Sequence, residues 1–274
     1  MGFITAVINN KGGVGKTTVT CNLAHALGLA GRRVLVVDLD SQCNTTQLLF
    51  PAASGPHNSL YELLAKNTKV MSLPDYIYPS RYDNVFCLPN VPETAGLEPQ
   101  LIVGAPGSFL RLRQLLRDYA VENFDFTLID NPPNIGAFVL CALQTADFVV
   151  VPVKAGSAFS VAGLLQAVRL INDVRRQGND ELRFLRLLVN QVDRRTSISK
   201  EIASELGKAF RRDQIFETSI AVNTLFEQAE AAGKTLLEFS PNAAGSQVYR
   251  DLAREFVAIF PSRARSAGGP KHAD

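Results

Sequence analysis

The chain has 274 residues, 46% hydrophobic and 20% charged, with a formal net charge of +2. That length buries a core without metal or disulfide staples, and the composition excludes a disordered or fibrous chain. No run approaches about 18 uninterrupted apolar residues, so no membrane-spanning helix is expected; nor is a secretory signal, since no basic n-region with a cleavage site opens the sequence.

Phe3–Ile8 (FITAVI) is a short apolar run and predicts a buried strand. A glycine-rich loop at 10–16 follows, then a helix from Thr17 to Ala30 that Gly31 stops. Val34–Val37 is again continuously apolar, as a strand covered on both faces must be. Residues 51–108 are rich in Pro, Gly, Ser and Asn and give only a short helix at Leu60–Ala65 and a strand at Val85–Leu88. Beyond them come a basic amphipathic helix at Phe109–Tyr119 and strands at Phe126–Ile129, Phe148–Val153 and Phe184–Val189. Helices are expected at Val161–Arg176, Ser199–Phe210 and Gln247–Phe260. The Ser/Arg/Gly-rich stretch 261–274 reads as a disordered basic tail. Alternating β and α elements predict an α/β fold: one domain over residues 1–260, with a doubly wound, mostly parallel sheet flanked by helices.

The strongest local signal is Lys11-Gly12-Gly13-Val14-Gly15-Lys16-Thr17-Thr18 between the first strand and the first helix. Asn10 takes the place of the first glycine of the usual G-x-x-x-x-G-K-[ST] pattern. The physics survives this change. Small residues let successive backbone N–H groups cradle phosphate oxygens, and the helix N-terminus faces the same anion. Lys16 reaches the β and γ phosphates, and the Thr17 hydroxyl suits Mg²⁺. ATP with Mg²⁺ is the expected ligand.

Asp38 and Asp40 end the second strand two residues apart, so both face one side of the crevice where such sheets bind ligands. One carboxylate can act through metal-bound water while the other orients the attacking water. Phe126-Thr127-Leu128-Ile129-Asp130 has the form of a Walker B strand, whose aspartate supports Mg²⁺. Cys21, Cys43, Cys87 and Cys141 form no C-x-x-C pair, which argues against zinc or a thioredoxin-like motif and for a cytosolic chain. The histidines His25, His57 and His272 build no nucleophile system with a serine or cysteine.

The second lysine, Lys11, makes this a deviant Walker A loop. On it, and on Asp38-Leu39-Asp40-Ser41-Gln42-Cys43-Asn44 and Asp130-Asn131-Pro132-Pro133-Asn134-Ile135-Gly136, the chain resembles the ParA/MinD group of ATPases. Ser41 and Cys43 depart from that family's Pro and Gly, and Asn131 from its smaller residue. The resemblance implies a P-loop ATPase that forms an ATP-sandwich homodimer, with Lys11 reaching the partner's nucleotide. By the same resemblance Asp38 lies near the Mg²⁺ shell and Asp40 positions the hydrolytic water. Asn190, in Asn190-Gln191-Val192-Asp193-Arg194-Arg195-Thr196, becomes the adenine contact, an amide being both donor and acceptor. Phe216–Ile220 is similar to the family's last core strand, and Gly233–Phe239 to its G-K-x-x-x-E-Y loop.

The resemblance runs from residue 3 to about 260, weakly over 51–108, and favours the ParA (Soj-like) branch. It implies a cytoplasmic, nucleoid-associated ATPase that positions or partitions a cargo, with a ParB-like or other adaptor stimulating slow hydrolysis. Non-specific DNA binding would rest on Arg194, Arg195, Lys200, Arg211, Arg212 and Arg250, with Lys208 and Arg254 as further candidates. The family's arginine-bearing I-P-R-N-V-R reads Ile220-Ala221-Val222-Asn223-Thr224-Leu225 here, without either arginine. The alternative is a MinD-like switch directed to a membrane or a protein partner, which needs an amphipathic terminal helix. An N-terminal sequence-specific DNA reader is not expected ahead of Phe3, so cargo choice would fall to a partner.

Overall fold

Strands with no polar face need cover on both sides, and the sheet is built that way. The computed structural model describes residues 1–50, 55–65, 72–154, 161–193 and 205–260, with the backbone alone for 161–163. The strands are β1 (Phe3–Val7), β2 (Val34–Asp38), β3 (Tyr78–Pro79), β4 (Val85–Leu88), β5 (Phe126–Asp130), β6 (Phe148–Lys154) and β7 (Arg183–Asn190). They form one seven-stranded sheet in the order β3-β4-β2-β5-β1-β6-β7. Every pairing is parallel except that of β3 with β4, and Pro79, which lacks an N–H for the ladder, sits on that outermost strand.

The period of two divides the core between the two faces. Leu35, Val37, Ile129, Val149 and Val151 join one apolar cluster. Val34, Val36, Phe126, Leu128 and Val150 join the other. The first face is covered by α3 (Leu60–Leu64), α4 (Glu98–Val103), α5 (Arg111–Asn123), α6 (Ala137–Thr145) and α7 (Val161–Gln177). The second is covered by α1 (Lys16–Leu29), α2 (Asn44–Leu49), α8 (Leu225–Ala231), α9 (Leu236–Phe239) and α10 (Ala244–Ile259). Phe3, Phe126, Phe148, Phe256 and Phe260 close the sheet at the amino ends of the strands, with the Phe3 and Phe260 rings 4.5 Å apart. The carboxyl ends are left for the site.

The six strands expected from apolar runs lie within a residue of those observed, and β3 was not expected. The amphipathic helix α5 starts at Arg111, after a 3₁₀ turn over Gly107–Leu110, and α10 starts at Ala244 rather than Gln247. Of the helix predicted at Ser199–Phe210, residues 205–209 are helical and 199–204 lie outside the described residues. The tail from 261 also lies outside them.

Phe216–Ile220 is not a strand. It runs beside β7 through isolated bridges only, Leu187 with Ile215 and Val192 with Ala221. Phe216 and Ile220 do donate to the carbonyls of Leu187 and Val189, at 2.9 and 3.0 Å. Between them the Glu255 carboxylate takes the amides of Glu217 and Thr218, at 2.8 and 2.9 Å. Those amides are lost to the ladder. Arg186 holds the same carboxylate at 2.7 Å.

Candidate nucleotide and metal site

The loop between β1 and α1 turns on two glycines with positive φ, Gly13 at 71° and Gly15 at 84°. Gly15 also has no room for a side chain, since a Cβ there would stand 2.5 Å from Asn190 Nδ2. α1 has no side-chain cap and no acid in its first turn, so its N-terminal amides face the crevice with nothing of its own to neutralise them. Lys16 is 7% exposed, and its Nζ donates to the Lys11 carbonyl at 3.2 Å. Burial lowers its pKa, against which Asp130 and Asp40 raise it. Lys11 stands exposed at the lip of the loop, its amide donating to Asn9 Oδ1 at 3.0 Å. Asn9 in turn ties the loop to the end of β6 by donating to the Pro152 carbonyl at 2.7 Å.

Beyond the lysine lie two buried carboxylates from adjacent strands. β2 and β5 pair Asp38 directly with Asp130, and both are fully buried. Asp38 is saturated: Oδ1 accepts from the Asp40 amide at 3.1 Å, and Oδ2 from the amide and hydroxyl of Thr46 at 2.8 and 2.7 Å. Asp130 is not. Its Oδ2 accepts from the hydroxyls of Thr17 and Thr45, both at 2.7 Å, while Oδ1 is buried with no protein partner. Burial pushes the Asp38 carboxyl up to about 7, Asp130 adding to the effect and Thr46 and Asp40 opposing it. Burial pushes Asp130 up to about 6, against its bonds from Thr17 and Thr45. Two buried acids side by side, one with an unpartnered oxygen, are a pair that a cation would suit.

Asp40 sits at the mouth, partly exposed, with Oδ1 accepting from the Gln42 amide at 3.0 Å. The structure thus brings Lys16, Thr17, Asp38, Asp40 and Asp130 into one crevice. Asn190 lies behind the loop, 4% exposed. Its Nδ2 donates to the Val14 carbonyl at 2.8 Å and its Oδ1 accepts from the Gln191 amide, so the amide is already engaged with protein. Thr18 lines a cavity of about 160 Å³ with Asn22, Asn44 and Glu230.

Four residues of the site escaped the sequence reading. Thr45 and Thr46 open α2 and hold one carboxylate each. Asn90, at the end of β4 and 2% exposed, closes the other side of this loop. Its amide donates to Thr46 Oγ1 at 2.8 Å and its Nδ2 to the Asp40 carbonyl at 3.1 Å. Gln191 donates to the Gly13 carbonyl at 3.0 Å from a left-handed backbone. The Thr-Thr pair just after the acidic segment was the one local signal; Asn90 and Gln191 carry none.

Among the described candidate DNA residues, Lys208 is exposed and three arginines lie next to acids. Arg211 is paired with Asp213 at 3.0 Å, Arg212 with Glu217 at 3.7 Å and Arg254 with Asp251. Arg250 is partly buried on α10, and Arg194, Arg195 and Lys200 lie outside the described residues.

A strand, a phosphate loop with two lysines, a helix and two strand-end aspartates define a P-loop ATPase of the deviant Walker A class. A family model described as an AAA domain matches residues 2–184. The sporulation initiation inhibitor protein Soj of Bacillus subtilis is 33% identical over 94% of this chain and 99% of its own. The chromosome-partitioning ATPase Soj of Thermus thermophilus is 36% identical over 92% of this chain and 94% of its own. Among solved structures, a cobyrinic acid a,c-diamide synthase from Mycobacterium smegmatis with bound ADP and magnesium superposes with a TM-score of 0.76, at 28% identity over 93% of each chain. The cell division ATPase MinD of Pyrococcus furiosus shares the fold, with a TM-score of 0.75 at 23% identity over 95% of this chain and all of its own. The chain belongs to the ParA/MinD family of ATPases, on its Soj-like side.

Proposed function

We propose that this chain is a Mg²⁺-dependent ParA-type ATPase whose ATP-bound dimer binds DNA without sequence preference and positions a cargo, with hydrolysis slow until a partner protein stimulates it. The observation that carries the reading is the unpartnered, buried Oδ1 of Asp130 beside the Thr17 hydroxyl, at the foot of a glycine cradle. Thr17 and Asp130 fit a hard cation, and Asp38 fixes the loop around it. Mg²⁺, when bound, would offset the negative charge of the phosphates, with Thr17 and Asp130 as the residues that would hold it. The amides of Gly12 to Thr18 bind the phosphates, and Lys16 neutralises charge at the β and γ positions. Asp40 orients the attacking water from the mouth of the crevice. Lys11 is assigned to the partner's nucleotide, and Asn190, with a second N–H on Nδ2, to the adenine.

The test is DNA binding with ATP across a salt series, using wild type, Lys16→Ala and Asp40→Ala. Asp40→Ala is expected to hold the dimer on DNA, and Lys16→Ala to abolish both binding and hydrolysis. Normal hydrolysis by Lys16→Ala would overturn the site. The acid-paired Arg211 and Arg212 favour one second reading, a positioning switch that acts on a protein partner without DNA; the absence of ATP-dependent, salt-sensitive binding would select it. A membrane-directed switch has less support, because α10 buries Tyr249, Leu252, Ala253 and Phe256 in the core.

A further inference from the structure

We infer that Glu98 is a positioning residue for the loop that follows Asp130, acting from a segment with no motif of its own. Asp130 is followed by Asn131-Pro132-Pro133-Asn134-Ile135-Gly136, after which α6 begins. A helix start needs acceptors for its first amides, and this one lacks them locally. The capping position is Gly136, no side chain caps the helix, and its first turn contains no acid. The acceptor comes from α4. Glu98 Oε1 takes the Ala137 amide at 3.0 Å, across 39 residues of sequence. Its negative charge also faces the positive end of the α6 dipole.

Gly136 supplies the second, independent observation. Its φ is −123°, an extended value open to any residue, so backbone freedom does not explain the glycine. Space does. A Cβ at 136 would stand 2.2 Å from Glu98 Oε1 and 3.3 Å from Asn134 Nδ2. The glycine therefore leaves room for the carboxylate that caps the next residue. Glu98 is itself held in place, because Leu97 and Leu101 on either side of it are buried in the core. Asp130 fixes the start of the loop inside the site, and Glu98 fixes its end. A six-residue segment pinned at both ends, with two prolines between, samples few conformations.

The inference deepens the ATPase reading and rests on it for its consequence, though not for its geometry. The experiment uses the full chain as wild type, Glu98→Ala, Glu98→Gln, Gly136→Ala and the double variant Glu98→Ala/Gly136→Ala. Amide exchange at the start of α6, measured without nucleotide, is expected to rise about tenfold in Glu98→Ala. Glu98→Gln keeps an acceptor oxygen and is expected to restore most of the protection. Gly136→Ala expels the carboxylate and should match Glu98→Ala, with the double variant no worse than either. Turnover should fall about fivefold or more in Glu98→Ala at an unchanged KM for ATP, and recover in Glu98→Gln. Unchanged exchange in Glu98→Ala would overturn the anchor. Raised exchange with unchanged turnover would overturn its role in positioning. If wild type itself fails to hydrolyse ATP, the ATPase reading falls, while the exchange data still decide the anchor.

Discussion

The buried acid pair makes a quantitative prediction about the metal-free protein. Asp38 ionises near 4 when unfolded and at about 7 when folded, because burial and the neighbouring Asp130 disfavour its charge. Between those values the folded chain holds a proton that the unfolded chain has lost. The stabilisation from this group is therefore full below pH 4 and is lost as the pH rises through 7. From pH 5 to pH 8 the loss from Asp38 alone is about 2.5 kcal/mol, at about 1.4 kcal/mol per pH unit over nearly two units. Asp130, ionising at about 6 in the folded chain, adds to it with the same sign.

The assay is urea unfolding in EDTA, followed by circular dichroism at pH 5, 6, 7 and 8, for wild type and Asp38→Asn. With a slope of about 3 kcal/mol per molar urea, the wild-type midpoint falls by roughly 1 M relative to the variant. The comparison matters because exposed carboxylates titrate too, and the asparagine removes only the Asp38 contribution. Asparagine also sets an N–H₂ against one of the donors around position 38, the Asp40 or Thr46 amide, so the variant starts weaker at pH 5. The gap between the two proteins narrows with pH. Midpoints that run parallel from pH 5 to 8 would refute the reasoning, since the Asp38 carboxylate would then cost nothing to bury. Mg²⁺ with ATP is expected to reverse the wild-type slope, because the bound state requires the ionised pair.

Three further outcomes follow from individual contacts. Cys43 caps α2 with a left-handed backbone, φ 56°, where strain costs about 1 kcal/mol; Cys43→Gly is expected to raise the urea midpoint slightly, and a loss beyond about 1 kcal/mol would show that the buried thiol and its contact with the Ser41 carbonyl matter more. Asn90→Ala removes one of the two donors to the Asp40 carbonyl, which keeps the Cys43 amide, and should cost about 0.5–1.5 kcal/mol in thermal unfolding, with turnover falling further than ATP affinity. Asp213→Asn with Glu217→Gln frees Arg211 and Arg212; DNA affinity should rise and its salt dependence steepen, by a slope of about one per phosphate newly contacted.

The parts of the fold that were legible in the sequence share one property: their signal is local. β1, β2, β5 and β6 read as apolar runs because each is covered on both faces, and the phosphate loop read as a motif because its residues are consecutive. Asp38 and Asp130 were legible one at a time; that they face each other depends on the β2–β5 register, which no spacing reveals. Phe216–Ile220 was expected as a strand only from its likeness to the family's last core strand, and it fails as one because a carboxylate from a helix 37 residues further on takes its amides. Asn90 and Glu98 were hidden for the same reason. Each lies in the Pro- and Gly-rich stretch that gave no periodic pattern, and each acts on a segment about 40 or more residues away.

That placement gives the stretch a purpose its composition concealed. The nucleotide-side loops after β2 and β5 carry the acids and make bonds of their own, such as Thr46 to Asp38 and the Cys43 amide to the Asp40 carbonyl, yet each also draws anchoring bonds from outside itself. Asn90 supplies them for the first loop and Glu98 for the second, eight residues apart in one short segment. A shift of that segment would reach Asp40 through the Asn90 bond and α6 through the Glu98 bond at once. If the two loops respond as a unit, Asn90→Ala and Glu98→Ala should be non-additive in turnover, the double variant losing little more than the worse single one. Full additivity would mean that each loop is held separately and that the segment between β4 and α5 is scaffold alone.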